Sequence, residues 1–223
     1  MSDQVLPLER YVDVPGGRVR TMSHGDKAAQ TILVLHGGPG MPSYYLQPLA
    51  ALADEYHVVL FDQLGCGRSD RPDDPALWTL RRAVDEVEAV RTGLGLRRVH
   101  LLGHSWGGLL ALAYAAKHPA QLRSMVLSSP LVSTAEWLAD TFARRECLPE
   151  DVREAIDRHE GRGSFDDPEY VDAVEAFNRR FFCHLDPWPE SLQRTFEQMG
   201  EQSYRPCGDP ASSPRQATCV VRT

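Results

Sequence analysis

Nowhere is this chain apolar over the roughly 20 residues that a membrane-spanning helix needs. Its opening residues, Met1-Ser2-Asp3-Gln4, lack the basic-then-apolar pattern of a secretory leader. No membrane partner is therefore expected. A long Lys/Arg run is also missing. The 24 basic residues face 31 acidic ones for a net charge of −7, which argues against a nucleic-acid or anionic-lipid surface. Cysteine is scarce: the five thiols are odd in number and irregular in spacing, so reduced thiols in a cytoplasmic chain are the expectation. Cys66, Cys147 and Cys183 belong to the body of the sequence, Cys207 and Cys219 to its last stretch. His24, His57, His100, His104, His118, His159 and His184 show no metal-ligand spacing. Gly65-x-Gly67 lacks the third glycine of a dinucleotide fingerprint, and no Gly-Lys-Ser/Thr follows the glycines at 37–40. No metal and no cofactor are expected.

What is present is ordinary globular composition, 42% hydrophobic and 25% charged over 223 residues, enough for one α/β domain with an inserted element. Four runs rich in Val, Leu and Ile, at Thr31–Leu35, His57–Phe61, Arg98–Leu102 and Ser124–Leu127, predict strands buried on both faces, as in a parallel sheet. Between the second and third, Leu80, Ala83, Val84, Val87, Val90 and Leu94 recur at helical spacing, with Gly93 and Gly95 at the end. A helix is also expected after Pro42, with Leu46, Leu49 and Leu52 facing inward. Glu9–Val14 and Arg18–Met22 predict a hairpin through Pro15-Gly16-Gly17. Strands alternating with helices define βαβ units and a doubly wound, mostly parallel sheet. From about residue 133 apolar positions thin out and become helical in spacing, which predicts a helical lid over the strand ends. The expected division is a core over 1–132, a lid over 133–204 and a separate tail over 205–223.

The chemistry concentrates at Gly103-His104-Ser105-Trp106-Gly107, directly after the apolar run Val99–Leu102 and before a helix-compatible stretch from Gly108 to His118. That order, strand, sharp turn, serine, helix, is a nucleophile elbow. The flanking glycines let strand and helix approach, and the helix N-terminus favours negative charge developing at Ser105. His36-Gly37-Gly38-Pro39-Gly40 follows the first parallel strand, where backbone N–H groups can point at an oxyanion. Gly38 N–H and Trp106 N–H are the expected pair, since the residue after the nucleophile supplies one donor. His36 is expected to be a structural hydrogen-bonder rather than a catalyst. In Asp62-Gln63-Leu64-Gly65-Cys66-Gly67-Arg68-Ser69-Asp70, Asp62 and Arg68 are expected to fix neighbouring backbone. Trp137, Glu175, Phe181, Phe182 and Trp188 are expected to be lid core and solvated lid face, not pocket.

HGGPG at 36–40, DQLGCGRSD at 62–70 and GHSWGG at 103–108 together resemble the proline iminopeptidase family of α/β-hydrolases. The opening YVDVPGGRVR and the phrase DPWPE are similar to this family too, so the resemblance covers about residues 9–204. It implies an α/β-hydrolase fold with a helical lid, and removal of an N-terminal residue, often proline, from small peptides or amino-acid amides. It implies that Ser105 attacks the carbonyl while Gly38 and Trp106 hold the oxyanion. Family lids also carry acidic residues that bind the substrate's free amine, a role the resemblance assigns to no residue of this chain. A serine at the elbow separates the chain from dehalogenase and epoxide-hydrolase relatives, which carry aspartate there.

The pattern breaks after residue 204. In this superfamily an Asp or Glu and then a His follow the serine, each after a later strand. Residues 205–223, RPCGDPASSPRQATCVVRT, contain no His, Glu or Tyr. Similar proteins continue with a phrase like Thr-Met-Trp-Gly-Pro-Ser-Glu-Phe. Loss of one base from the preceding arginine codon turns a coding choice for that phrase into Arg-Pro-Cys-Gly-Asp-Pro-Ala-Ser, which is residues 205–212. The expectation is a frame-shifted, disordered tail on a C-terminally truncated chain that lacks the last strands, the acid and the base, and hence lacks turnover. Beside the serine aminopeptidase stand three alternatives: a truncated product without activity, a pseudoenzyme that binds peptide N-termini, and a general esterase or amidase.

Overall fold

The period-two alternation of buried side chains along Thr31–Leu35 and His57–Phe61 sends Leu33, Leu35, Val59 and Phe61 to one face of a sheet and Val34, Val58 and Leu60 to the other. The computed structural model describes residues 7–200 of the chain, and the tail from 205 lies outside them. Six strands run β1 (Leu8–Val14), β2 (Gly17–His24), β3 (Thr31–Leu35), β4 (His57–Phe61), β5 (Val99–His104) and β6 (Leu122–Ser128). Their order across the sheet is β1-β2-β4-β3-β5-β6. The hairpin β1–β2 is antiparallel and joins β4 antiparallel, whereas β4, β3, β5 and β6 are mutually parallel.

One face is covered by α1 (Leu80–Gly93) and α2 (Trp106–Lys117), whose Val84, Val87, Val90, Leu110, Ala111 and Tyr114 pack on Leu33, Leu35, Val59 and Phe61. Thr79 caps α1 by accepting from Arg82 N at 3.2 Å. The opposite face packs Val34, Val58 and Leu60 against Leu46, Leu49 and Tyr56. The segment after Pro42 winds as a 3-10 helix over Ser43–Asp54, not as an α-helix. Pro48 lies inside it, and a proline there offers no N–H for an i→i−4 bond. Among the described residues β6 pairs on one edge only, and its Val126 and Leu127 are exposed.

The described residues divide into two units, 7–132 with 191–200, and 133–190. The second is helical, with α3 (Thr134–Arg145), α4 (Glu150–Arg162) and α5 (Pro168–Phe181). Its own small core joins Leu148, Ala155, Ile156, Tyr170 and Ala173. The last helix, α6 (Glu190–Glu197), starts at the division, and from residue 191 the chain packs with the sheet unit, although the sequence pattern groups it with the lid. The reason is polar and local. Thr195 Oγ1 accepts from Tyr45 N at 3.1 Å, and Tyr44 Oη donates to Gln198 Oε1 at 2.8 Å.

Candidate active site

The strand order gathers the three glycine-bearing motifs. Leu35 of β3 is the register partner of Gly103 of β5, and β4 lies on the other side of β3. The segments that leave the carboxyl ends of β4, β3 and β5 therefore emerge side by side: Asp62–Asp70, His36–Gly40 and His104–Trp106. Ligand sites of open parallel sheets form at this end.

Ser105 has φ 53° and ψ −119°, a backbone that L-residues with a Cβ rarely adopt. Three hydrogen bonds hold it there. Its N–H donates to Ser128 O at 3.0 Å, and its carbonyl accepts from Gly108 N and Leu131 N, each at 2.9 Å. The glycines around it are obligatory: a Cβ on Gly103 would land on the Gly107 carbonyl, and one on Gly107 would land on the Leu35 carbonyl. Trp106 opens α2 directly after the serine. Among the described residues the Ser105 hydroxyl makes no hydrogen bond, and neither does Gly38 N–H or Trp106 N–H.

The His36–Gly40 loop lies against this turn. A Cβ on Gly37 would sit 3.2 Å from Ser105 Cβ, 3.2 Å from His104 Nδ1 and 3.1 Å from Tyr45 Oη. Gly38 has φ +114°, the region that favours glycine. His36 is fully buried and both of its ring nitrogens are used. Nε2 accepts from Gln63 N at 2.8 Å, which leaves the proton on Nδ1 to donate to Gly37 O at 2.9 Å. Burial holds its pKa below the usual histidine range. Gln63 completes the link by donating from Nε2 to His36 O at 3.0 Å and accepting the Trp106 indole N–H at 3.0 Å.

Asp62 is fully buried. Its Oδ1 accepts from Ser43 N and Oγ at 2.9 and 2.7 Å, and its Oδ2 accepts from Arg68 N at 3.3 Å and pairs with Arg20 at 3.5 Å. Asp62 thus fixes backbone as the sequence suggests, while Arg68 reaches Glu9 Oε2 at 2.8 Å through its side chain. Cys66 is buried, desolvation pushes its thiol pKa well above the ordinary value, and its Sγ donates to Gln63 O at 3.2 Å. Two residues that sequence reasoning missed carry much of this geometry, Tyr45 and Gln63. Tyr45 Oη accepts from Gly37 N at 2.8 Å and lies 2.8 Å from His104 Nδ1. Gln63 lies within the 62–70 motif, but no local pattern shows its role or that of Tyr45, because each acts across a strand order that the sequence does not spell out.

Two of the three histidines after Ser105, His118 and His159, are engaged elsewhere. His118 follows α2 and stacks on Tyr114 at 4.9 Å, about 18 Å of helix away from the serine. His159, in the helical unit, pairs with Ser164 Oγ at 2.7 Å and Glu169 Oε2 at 2.8 Å. Asp167 joins His159 and Glu169 in a cluster whose ligand atoms lie close enough together to hold a metal ion. Each ligand atom already has a partner, however, since Asp167 Oδ1 caps α5 through Glu169 N and Glu169 Oε2 meets Arg158.

A strained serine between a parallel strand and a helix, facing a glycine loop from the neighbouring strand, defines an α/β-hydrolase, and the model of the alpha/beta hydrolase fold matches residues 30–157. The chain is 44% identical to a proline iminopeptidase of Heyndrickxia coagulans over 187 residues, 83% of this chain and 65% of that protein. It is 40% identical to one of Saccharolobus solfataricus over 175 residues, 78% and 56% of the two chains. The solved proline iminopeptidase of Mycobacterium smegmatis superposes with a TM-score of 0.80 at 33% identity, covering 92% of this chain and 72% of that one. The structure of VinJ superposes at 0.85 with 32% identity, covering 89% and 70%. The chain belongs to the proline iminopeptidase family of the α/β-hydrolases. It spans less than two thirds of the length of the curated relatives it matches. No helix among the described residues is long and apolar enough to cross a membrane.

Proposed function

We propose that this chain carries the nucleophile half of a serine aminopeptidase that releases an N-terminal residue, often proline, from small peptides or amino-acid amides. The observation that carries this reading is Ser105, held at φ 53° with a hydroxyl that none of the described residues occupies, against the His36–Gly40 loop. Ser105 Oγ attacks the scissile carbonyl carbon. The carbonyl electrons move onto oxygen, where Gly38 N–H and Trp106 N–H stabilise the oxyanion. Collapse expels the amine with a proton and leaves an acyl-serine, which water then hydrolyses. No cofactor enters these steps. The three cysteines among the described residues are free thiols, which supports a cytoplasmic setting.

Deprotonating Ser105 requires a base, and in this superfamily the acid and the histidine follow the serine in the chain. Among the described residues no histidine bonds Ser105, and this favours a second reading, a serine poised but without turnover. A non-catalytic binder of peptide N-termini and a general esterase or amidase remain the alternatives to be separated. Two assays on the 223-residue chain separate the catalytic readings from the non-catalytic ones: fluorophosphonate labelling of the chain and of Ser105→Ala, and hydrolysis of a prolyl amide beside a simple acyl ester. Labelling with prolyl-amide turnover supports the aminopeptidase, and ester turnover alone supports the esterase. Slow labelling without turnover supports the poised serine. Labelling no faster than in Ser105→Ala refutes the nucleophile.

A further inference from the structure

Tyr45 sits on the 3-10 helix that follows the glycine loop, and its hydroxyl touches both partners of the active turn. Gly37 N–H donates to Tyr45 Oη at 2.8 Å, so the single phenolic proton is available to His104 Nδ1 at 2.8 Å. The two rings meet edge to face with centroids 5.3 Å apart. Burial raises the Tyr45 pKa and lowers that of His104, which keeps both groups neutral in this contact. The main chain of Tyr45 is anchored from the other side, through its N–H to Thr195 Oγ1 at 3.1 Å on α6. Thr195 is itself fixed by donating to Ser191 O at 2.9 Å. The loop is pinned again where Gly200 N donates to Gly40 O at 2.9 Å.

These bonds bracket one peptide. Gly37 N–H is taken by Tyr45, Gly37 O by His36, and the next N–H, that of Gly38, is left unbonded among the described residues. His104 is joined to Ser105 by one peptide bond. We propose that Tyr45 is a positioning residue for the oxyanion loop: by bridging Gly37 N–H and the His104 ring, it sets the Gly38 N–H in register with Ser105. This rests on the reading of Ser105 as nucleophile. Without the hydroxyl, Gly37 N–H would lose its acceptor and the loop could turn its donor away from the developing oxyanion. A donor must stand within hydrogen-bond reach of the oxyanion in the transition state, so small rotations of the loop cost rate.

The test uses the 223-residue chain and Tyr45→Phe, which keeps the ring against His104 and removes only Oη. Tyr44→Phe, which loses the bond to Gln198, controls for a merely structural loss in the same helix. Tyr45→Phe is expected to slow fluorophosphonate labelling of Ser105 by about 10-fold, less than the loss of a whole oxyanion donor. Tyr44→Phe is expected to label at the parent rate. By NMR, Gly37 amide exchange is expected to speed up in Tyr45→Phe, and the His104 ring-nitrogen shifts to move. Parent-rate labelling in Tyr45→Phe, or unchanged Gly37 exchange, overturns the proposal. If the parent chain labels no faster than Ser105→Ala, the nucleophile reading fails by itself. The exchange and ring-nitrogen measurements then decide whether Tyr45 holds the loop.

Discussion

Gly107 rests against the backbone carbonyl of Leu35, so closely that a Cβ at position 107 would land on that oxygen and next to His36 O. The contact is backbone against backbone, which no rotamer change relieves. Gly107→Ala is therefore expected to push α2 off the sheet and cost at least about 3 kcal/mol, more than typical overpacking of a core. Gly161, inside α4, is the contrast. Nothing lies within 4 Å of its Cβ position and its φ is helical, so Gly161→Ala should stabilise by about 0.5–1 kcal/mol. Urea midpoints of the two variants check both signs, and a tolerated Gly107→Ala would show that the elbow is not packed as described.

How much of this site is legible in the sequence follows from range. Strand ends, the elbow and the glycine loop are local: alternation at 31–35 and 57–61 and the glycines at 103 and 107 need only neighbouring residues to be read. The 3-10 winding of Ser43–Asp54 was partly hidden, because leucines at helical spacing signal an inward face whichever helix carries them. The order β4-β3-β5 is not local at all, and it decides that Gln63 can reach Trp106 and Tyr45 can reach His104. Likewise Thr195 and Gln198 look like one more stretch of charged helix until their hydrogen bonds to Tyr45 and Tyr44 place them with the sheet.

Gln63 is buried and bonds His36 through two groups and the Trp106 indole through a third. Gln63→Leu keeps the volume but leaves His36 O and Trp106 Nε1 without partners. Two buried unsatisfied groups should cost about 2–4 kcal/mol. Gln63→Glu can still accept from the indole but sets a carboxylate against the His36 carbonyl, so it should not recover the loss. Chemical denaturation of the parent and both variants measures this. A Gln63→Leu variant within about 0.5 kcal/mol of the parent would argue against the bracing role.

In the helical unit Arg145 and Glu160 form an ion pair that is mostly buried on both sides. Two bonds, from Nη1 and Nη2 to the two carboxylate oxygens at 2.7 and 2.6 Å, join them, and their side chains are 10% and 12% exposed. Arg145 also lies over the Phe142 ring at 5.4 Å. Arg145→Ala strands a mostly buried carboxylate and removes that packing, with an expected cost of about 2–3 kcal/mol. Removing both charges in Arg145→Met with Glu160→Leu should recover most of it, because the stranded charge is gone. Proteolytic susceptibility of residues 133–190, followed by mass spectrometry, should rise in the single variant and return toward the parent in the double one. Equal protection in all three would mean that the pair does not hold these helices together.

His36 makes stability depend on pH in a definite direction. In the folded chain its Nε2 accepts from Gln63 N, so only the neutral ring fits, and burial holds its pKa below the ordinary 6.5. The unfolded chain takes up a proton as the pH falls through 6.5, while the folded chain resists. The unfolded state then binds more protons, and stability falls with falling pH until the folded pKa is reached. Above 6.5 both states are neutral and the contribution is flat. His24, His57, His100 and His104 are also held low by burial and slope the same way, so the parent alone cannot isolate one ring. His36→Gln should be less stable at pH about 7.5 because the fit around Gln63 is lost. It should also be less steep below 6.5, by up to about 1.4 kcal/mol per pH unit for one proton. Urea unfolding of parent and variant at several pH values between about 7.5 and 5.5 gives both slopes. Identical slopes would mean that the His36 ring is protonated in the folded chain as readily as in the unfolded one.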